Sequence, residues 1–185
     1  MTQDAQLRQI IEKISAGDKS AFSELYQLLE RPLYKFIHLK LNDPHQSADI
    51  LHDVFIEVWK GAKRFEGRST VKTWIFSIAY RKIMDVYRKK NRIETMAEVP
   101  EVVDESPQPE ELHHNTQRSA ILRYCLDKLK QDHRTAIELA FFEDLGYREI
   151  SEIVGAPEGT VKTRVYHAKS NLMNCLSKQL GRGDV

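Results

Sequence analysis

Residues 145–172 read LGYREISEIVGAPEGTVKTRVYHAKSNL. Two short amphipathic segments meet in it at Gly155-Ala156-Pro157. Before the turn, Ile150, Ile153 and Val154 recur at helical spacing, so that segment has one apolar face. Glycine reaches the left-handed conformation that ends a helix, and proline suits the first turn of the next. After the turn, Val161, Val165, Ala168 and Leu172 recur every three or four residues and face inward. The opposite face carries Lys162, Thr163, Tyr166, His167 and Lys169. Cations, a hydroxyl and an aromatic on one helical face suit phosphates and base edges in a major groove. The pattern predicts a helix-turn-helix with its second helix as the reader. The same residues also fit an ordinary helical hairpin with a solvated basic face, so the decision falls to the rest of the chain.

Net charge over the 185 residues is only +1, which by itself argues against nucleic acid. The average conceals a strong segregation. Residues 1–59 hold six Lys/Arg against nine Asp/Glu, and residues 60–92 hold eleven against two. Residues 94–112 hold none against seven, and residues 116–185 eleven against nine. Blocks of opposite sign imply more than one surface and more than one partner.

In the basic block, residues 65–92 read FEGRSTVKTWIFSIAYRKIMDVYRKKNR. Gly67 and Ser69 mark a loop, with Ser69 or Thr70 as helix cap. The helix that follows buries Val71, Ile75, Ile78, Ala79, Ile83 and Val86 and exposes Lys72, Arg81, Lys82, Arg88 and Lys89. Trp74, Phe76, Tyr80 and Tyr87 lie among or beside these cations. Aromatics interleaved with cations hold unstacked bases while neutralising the backbone, which points to single-stranded or melted DNA. For Trp74 in particular, plain core packing competes with that role.

Upstream, residues 4–15 form an amphipathic helix with Leu7, Ile10, Ile11 and Ile14 inward. Asp18 caps a second helix, which Pro32 kinks or divides. Asn42-Asp43-Pro44 ends it and starts residues 45–60, where Ala48, Leu51, Phe55 and Val58 point one way. Asp49, His52, Asp53 and Ile56 share another face. Phosphates repel an acidic face. Solvated surface and a dock for a basic protein partner fit it equally well. Residues 93–115 lose all periodicity, carry three prolines and read as a flexible acidic linker. Beyond it, Ile121, Leu122, Leu126 and Leu129, then Ala136, Ile137 and Ala140, continue helical patterns inward.

Cys125 and Cys175 match no metal-ligand spacing and read as buried free thiols, in keeping with a reducing compartment. His113-His114 lacks further ligands. There is no signal peptide pattern and no apolar run long enough to span a bilayer, so a cytoplasmic protein without direct membrane insertion is expected. No catalytic grouping, glycine-rich phosphate cradle or metal cluster stands out, so no enzyme activity, cofactor or metal is expected. Asp49 and Asp53 sit one helical turn apart without a third ligand, which disfavours a metal-dependent nucleic-acid enzyme.

With these stretches in order, the chain resembles a bacterial RNA polymerase sigma factor of the extracytoplasmic-function type, in the sigma-70 family. The resemblance is carried by GDKSAFSELY (17–26), SADILHDVFIEVWK (47–60), FEGRSTVKTWIFSIAYRKIMD (65–85) and residues 145–172, and covers roughly residues 5–180. It implies an all-α protein of two small helical domains. Residues 1–92 form sigma region 2, residues 93–115 the linker and residues 116–185 the region 4 helix-turn-helix. It further implies that Asp49, His52, Asp53 and Ile56 dock on the clamp helices of the polymerase largest subunit. Phe65, Arg68, Ser69 and Thr70, with Lys72, Trp74, Tyr80, Arg81 and Arg88, would open and hold the minus-ten element. Thr160, Lys162, Thr163, Arg164, Tyr166, His167 and Lys169 would bind the minus-thirty-five element, Arg164 at its edge toward phosphate. The partners implied are core polymerase, including the flap of its second-largest subunit, promoter DNA and an anti-sigma factor. The sequence departs from the family pattern at His52 and Asp53, where Gln and Glu are usual, and at Arg81, where Asn is common. The alternative is a free-standing helix-turn-helix repressor or activator with an N-terminal sensor or dimerisation domain.

Overall fold

A computed structural model describes residues 3–96 and 115–180. Among the described residues there are eight α-helices, one short 3-10 turn and no strand. By Cα proximity the chain divides into Met1–Ala97 with Arg148–Gly155, and Glu98–Tyr147 with Ala156–Val185.

The first unit is built on α1 (Gln3–Ser15), α2 (Lys19–Leu41), α3 (Pro44–Gly61), the 3-10 turn Ala62–Arg64 and α4 (Val71–Met96). Its boundaries follow from local chemistry. Asp18 accepts from the Ser20 and Ala21 amides at 2.8 and 3.1 Å, covering donors that the first turn of α2 leaves open. Asn42 takes the left-handed conformation (φ 52°) and ends α2, while Asp43 caps α3 through the Gln46 amide at 3.0 Å. Pro32 lies inside α2 without dividing it. All four expected core positions of α1 are buried, and they join Leu25, Leu33, Ile37, Val54, Val58, Ile75 and Ile83. Fully burying such a side chain contributes about 1.5–3 kcal/mol, so this shared core holds the four helices together.

Two residues expected inward, Ala48 and Val86, and two rings expected among the surface cations, Phe76 and Tyr87, lie elsewhere. Ala48 is exposed, and Ser47 is buried instead, its hydroxyl donating to the Asp43 carbonyl at 2.5 Å. Ser47 stands four residues and Ala48 three before Leu51, so both spacings suit the apolar stripe, which closes on Ser47. Phe76 is fully buried against Phe36, with ring centroids 5.3 Å apart, and Tyr87 donates its hydroxyl to the Lys40 carbonyl. Neither ring belongs to the exposed aromatic surface. Val86 is half-buried.

The second unit contains α5 (Asn115–Asp127), α6 (Gln131–Phe141) and α8 (Glu158–Leu180). Leu126, Leu129, Ile137 and Ala168 form its core, with Leu122 and Leu172 packed against it. Cys125 and Cys175 form a disulfide between α5 and α8, with Cα atoms 5.7 Å apart, and neither thiol is free. This overturns the expectation of buried free thiols. A separation of 50 residues gave no hint that helix packing brings the two side chains together. Between α6 and α8 lies α7 (Tyr147–Val154), whose residues Arg148–Gly155 fall with the first unit by proximity. Ile150 and Ile153 of α7 are buried. Gly155 follows at φ +66°, where a β-carbon is disfavoured, and Pro157 accepts from the Thr160 and Val161 amides at 2.9 and 3.0 Å. Of the expected linker 93–115, Ile93–Met96 continue α4 and Asn115 opens α5. The remainder, with His113 and His114, lies outside the described residues.

Candidate nucleic-acid and polymerase interfaces

The segment before α4 builds the first candidate surface. Thr70 caps the helix by accepting from the Thr73 amide at 3.1 Å, and the Asp4 carboxylate accepts from the Val71 amide at 2.9 Å. With its start pinned, α4 presents Trp74 beside Phe65, with ring centroids 4.8 Å apart and planes inclined at 33°. Trp74 also leans on Gly61, where a β-carbon would come within 3.1 Å of the indole. Both rings are half-buried, so they pack on the fold yet keep a face toward solvent. Beside them opens a groove of about 320 Å³ lined by Arg64, Phe65, Glu66, Gly67, Arg68, Ser69 and Trp74. A half-buried ring pair at the mouth of a cationic groove can stack a base and neutralise its phosphate.

The remaining expected residues of this surface are spread along α4. Lys72 is half-buried with its ammonium 5.6 Å from the Phe76 ring centroid, and Tyr80 is half-buried. Arg68, Arg81 and Arg88 are exposed and pair with Glu66, Glu57 and Asp85 at 2.5, 3.2 and 2.7 Å. Exposed pairs of this kind contribute at most about 1 kcal/mol, so a phosphate can displace the carboxylate. Fourteen residues of helix separate Trp74 from Arg88, roughly 21 Å at 1.5 Å per residue. The structure thus brings Phe65, Arg68, Ser69 and Trp74 together around one groove. Arg81 and Arg88 extend it as a strip.

On α3, Asp49, His52, Asp53 and Ile56 are all exposed and share one face. Ile56 is 47% accessible, an apolar centre ringed by polar groups, as in interfaces whose core excludes water.

The second cationic surface lies on α8. Thr160, Lys162, Thr163, Tyr166, His167 and Lys169 are exposed, while Val161, Val165 and Ala168 are buried. Tyr166 is 71% accessible and meets the His167 ring edge-on at 5.5 Å. The Thr163 hydroxyl donates to the Gly159 carbonyl at 2.9 Å and so keeps its lone pairs outward. Arg164 is half-buried, held by Asp132 of α6 at 2.6 Å, which sets it apart from the exposed reading face.

Two groups at these surfaces carry no signal in the sequence pattern that places them. His133 of α6 lies under His167, with ring centroids 6.1 Å apart and planes inclined at 16°. Its Nδ1 is buried without a hydrogen-bond partner among the described residues. Burial holds its pKa below the usual 6.5, and the positive charges His167, Lys130 and Arg164 push the same way against Asp132. No spacing signal foretold this stack, because it joins two helices. The other group is Asp4 and Arg8 of α1, whose i,i+4 pairing was readable but whose reach to residues 67–71 was not. Among the described residues no cluster of three or more His, Cys, Asp or Glu could hold a metal ion, and no helix is long and apolar enough to cross a membrane.

Two family models match the chain: Sigma-70 region 2 over residues 25–93, and Sigma-70, region 4 over residues 119–172. The chain is 32% identical to the ECF RNA polymerase sigma factor RpoE of Cereibacter sphaeroides, covering 86% of this chain and 88% of that protein. It is 28% identical to the ECF RNA polymerase sigma factor SigE of Mycolicibacterium smegmatis, over 89% of this chain but 66% of that longer relative. Its fold is similar to that of the sigma factor RpoE of Bartonella quintana, solved with the anti-sigma factor NepR. That match has a TM-score of 0.65 and 24% identity, and covers 84% of this chain and 96% of the other. These matches displace the free-standing repressor or activator, because they extend over both halves of the chain. The chain belongs to the extracytoplasmic-function sigma factors of the sigma-70 family, and its function is that of a sigma factor in transcription initiation.

Proposed function

We propose that the chain divides promoter recognition between its two cationic surfaces and contacts polymerase through its acidic one. Residues 1–92 act as region 2 and residues 116–185 as region 4. The α3 face of Asp49, His52, Asp53 and Ile56 docks on the clamp helices of the largest polymerase subunit. Phe65 and Trp74 receive a base of the minus-ten element once the duplex opens, with Ser69 lining the groove, Thr70 capping α4 beside it and Tyr80 farther along the helix. Arg68, Lys72, Arg81 and Arg88 neutralise the displaced strand. The α8 face reads the minus-thirty-five element through Lys162, Thr163, Tyr166, His167 and Lys169, with Thr160 and Arg164 at its margins. Helices before it touch the flap of the second-largest subunit.

The observation that carries this reading is the half-buried Phe65–Trp74 pair beside a cationic groove. Duplex DNA offers no free base face for such a platform, whereas a melted strand does. The factor itself performs no bond chemistry; polymerase supplies the nucleotidyl transfer, and no cofactor or metal is required. It works in the cytoplasm, where polymerase and promoters are. An anti-sigma factor controls it by covering the polymerase-binding faces, a partner class supported by the NepR complex of the Bartonella quintana relative.

Two substitutions separate the roles. Trp74→Ala spares binding of holoenzyme to duplex promoter and reduces permanganate reactivity of melted thymines, since base stacking contributes about 1–3 kcal/mol. Lys162→Ala weakens the duplex step and lowers its log–log salt slope by about one. The division of labour fails if both variants lose the same step.

A further inference from the structure

The loop that carries the proposed base platform is held by a helix to which no promoter role is assigned. Arg8 of α1 donates from Nη2 to the Ser69 carbonyl at 2.8 Å and from Nη1 to the Gly67 carbonyl at 3.3 Å. Its Nε is fixed by the Asp4 carboxylate at 2.7 Å, and its guanidinium carbon lies 5.8 Å from the Phe65 ring centroid. The other oxygen of Asp4 accepts from the Val71 amide, the first of α4, at 2.9 Å. One i,i+4 pair on α1 therefore grips the loop at residues 65, 67, 69 and 71. Gly67 adopts φ +70°, and a β-carbon there would lie 2.5 Å from Arg8 Nη1. The glycine thus supplies both the turn and the space into which the guanidinium fits. Both side chains of the pair are about one-third exposed, so the contact is not a solvated surface ion pair. The region 2 family match begins at residue 25, so Asp4 and Arg8 lie outside it.

We infer that Arg8, oriented by Asp4, is a positioning residue for promoter melting: it fixes the 65–71 loop so that Phe65 and Trp74 stand ready for an extruded base. The inference rests on the role proposed above for that ring pair. A loop held in its binding geometry before the strand arrives loses less conformational freedom on capture. The planar fork of arginine serves two carbonyls and an anchoring carboxylate at once, which a lysine ammonium on a flexible stem does not. If Arg8 met a DNA phosphate directly, a lysine would substitute for it.

The test uses full-length protein assembled with bacterial core polymerase, on a promoter fragment that the wild-type holoenzyme opens. Permanganate reactivity of melted thymines measures opening, and gel retardation of the same fragment measures duplex binding. Arg8→Gln and Arg8→Lys are each expected to reduce opening roughly tenfold, the scale of one lost charged hydrogen bond, with core assembly and duplex binding unchanged. Arg8→Lys retains charge and aliphatic stem, so it remains informative if Arg8→Gln folds poorly. Wild-type opening by Arg8→Lys would overturn the inference, and so would a loss that merely parallels reduced core assembly in both variants. Trp74→Ala in parallel separates the two layers. If Trp74→Ala opens normally, the base-platform role fails and the inference with it. If Trp74→Ala is defective while both Arg8 variants open normally, the positioning role alone is wrong.

Discussion

His133 shows how a single residue couples the stability of the second unit to pH. Its ring is packed under His167, its Nδ1 is buried without a partner among the described residues, and burial with nearby positive charge lowers its pKa. The folded protein therefore resists a proton that the unfolded chain accepts near the ordinary 6.5. Above that pH neither state is protonated at His133 and the residue costs nothing. As pH falls below it, the unfolded state gains the proton first and stability declines until the folded pKa is passed. Thermal melts of the full chain at pH 7.5 and 5.5 check this. Wild type is expected to lose more melting temperature between them than His133→Leu, and equal losses would remove His133 as the cause. At the same scale, Lys162, Tyr166 and Lys169 were readable because helical spacing alone puts them opposite Val161, Val165 and Ala168. Arg8 and His133 were not, because their partners lie on other elements and are brought close by packing.

At the scale of elements, most helix boundaries were written in short local codes. Asp18, Asp43 and Thr70 cap α2, α3 and α4, and Gly155 with Pro157 marks the turn between α7 and α8. At the start of α3 the spacing is ambiguous: Ala48 and Ser47 stand three and four residues before Leu51, and burial falls on Ser47. Phe76 was misplaced for a related reason: apolar and cationic positions alternate so closely on α4 that the pattern alone does not assign each ring to a face. The disulfide between α5 and α8 was the element-level feature least visible beforehand. It closes a loop across a sequence separation of 50, for which chain-entropy arguments give up to about 4 kcal/mol. Urea unfolding with and without a dithiol reductant is expected to show a lower midpoint when reduced, and Cys125→Ser should match the reduced protein. Coincident curves, or two reactive thiols titrated in the untreated protein, would argue against the bridge.

Across the whole molecule, the formal charge of +1 concealed an acidic N-terminal block, a basic block at residues 60–92 and an acidic stretch at 94–112. The structure gives two of these blocks a surface, with the acidic face on α3 and the cationic strip on α4. On the assignment proposed above, one chain approaches polymerase and DNA through separate regions, which a uniformly basic protein would do less selectively. The sequence showed both helical halves and the opposite characters of these faces. Which residues pin the loop at 65–71 depended on α1 packing next to a segment nearly sixty positions away, and helical spacing carries no such information. As a sigma factor, this chain is expected to confer promoter choice on a polymerase that lacks it. The decisive measurement is transcription with purified bacterial core polymerase on a pool of promoter fragments, with and without the protein. New transcripts from defined start sites are expected only when the protein is present, and their absence despite demonstrated assembly with core enzyme would overturn the sigma-factor role.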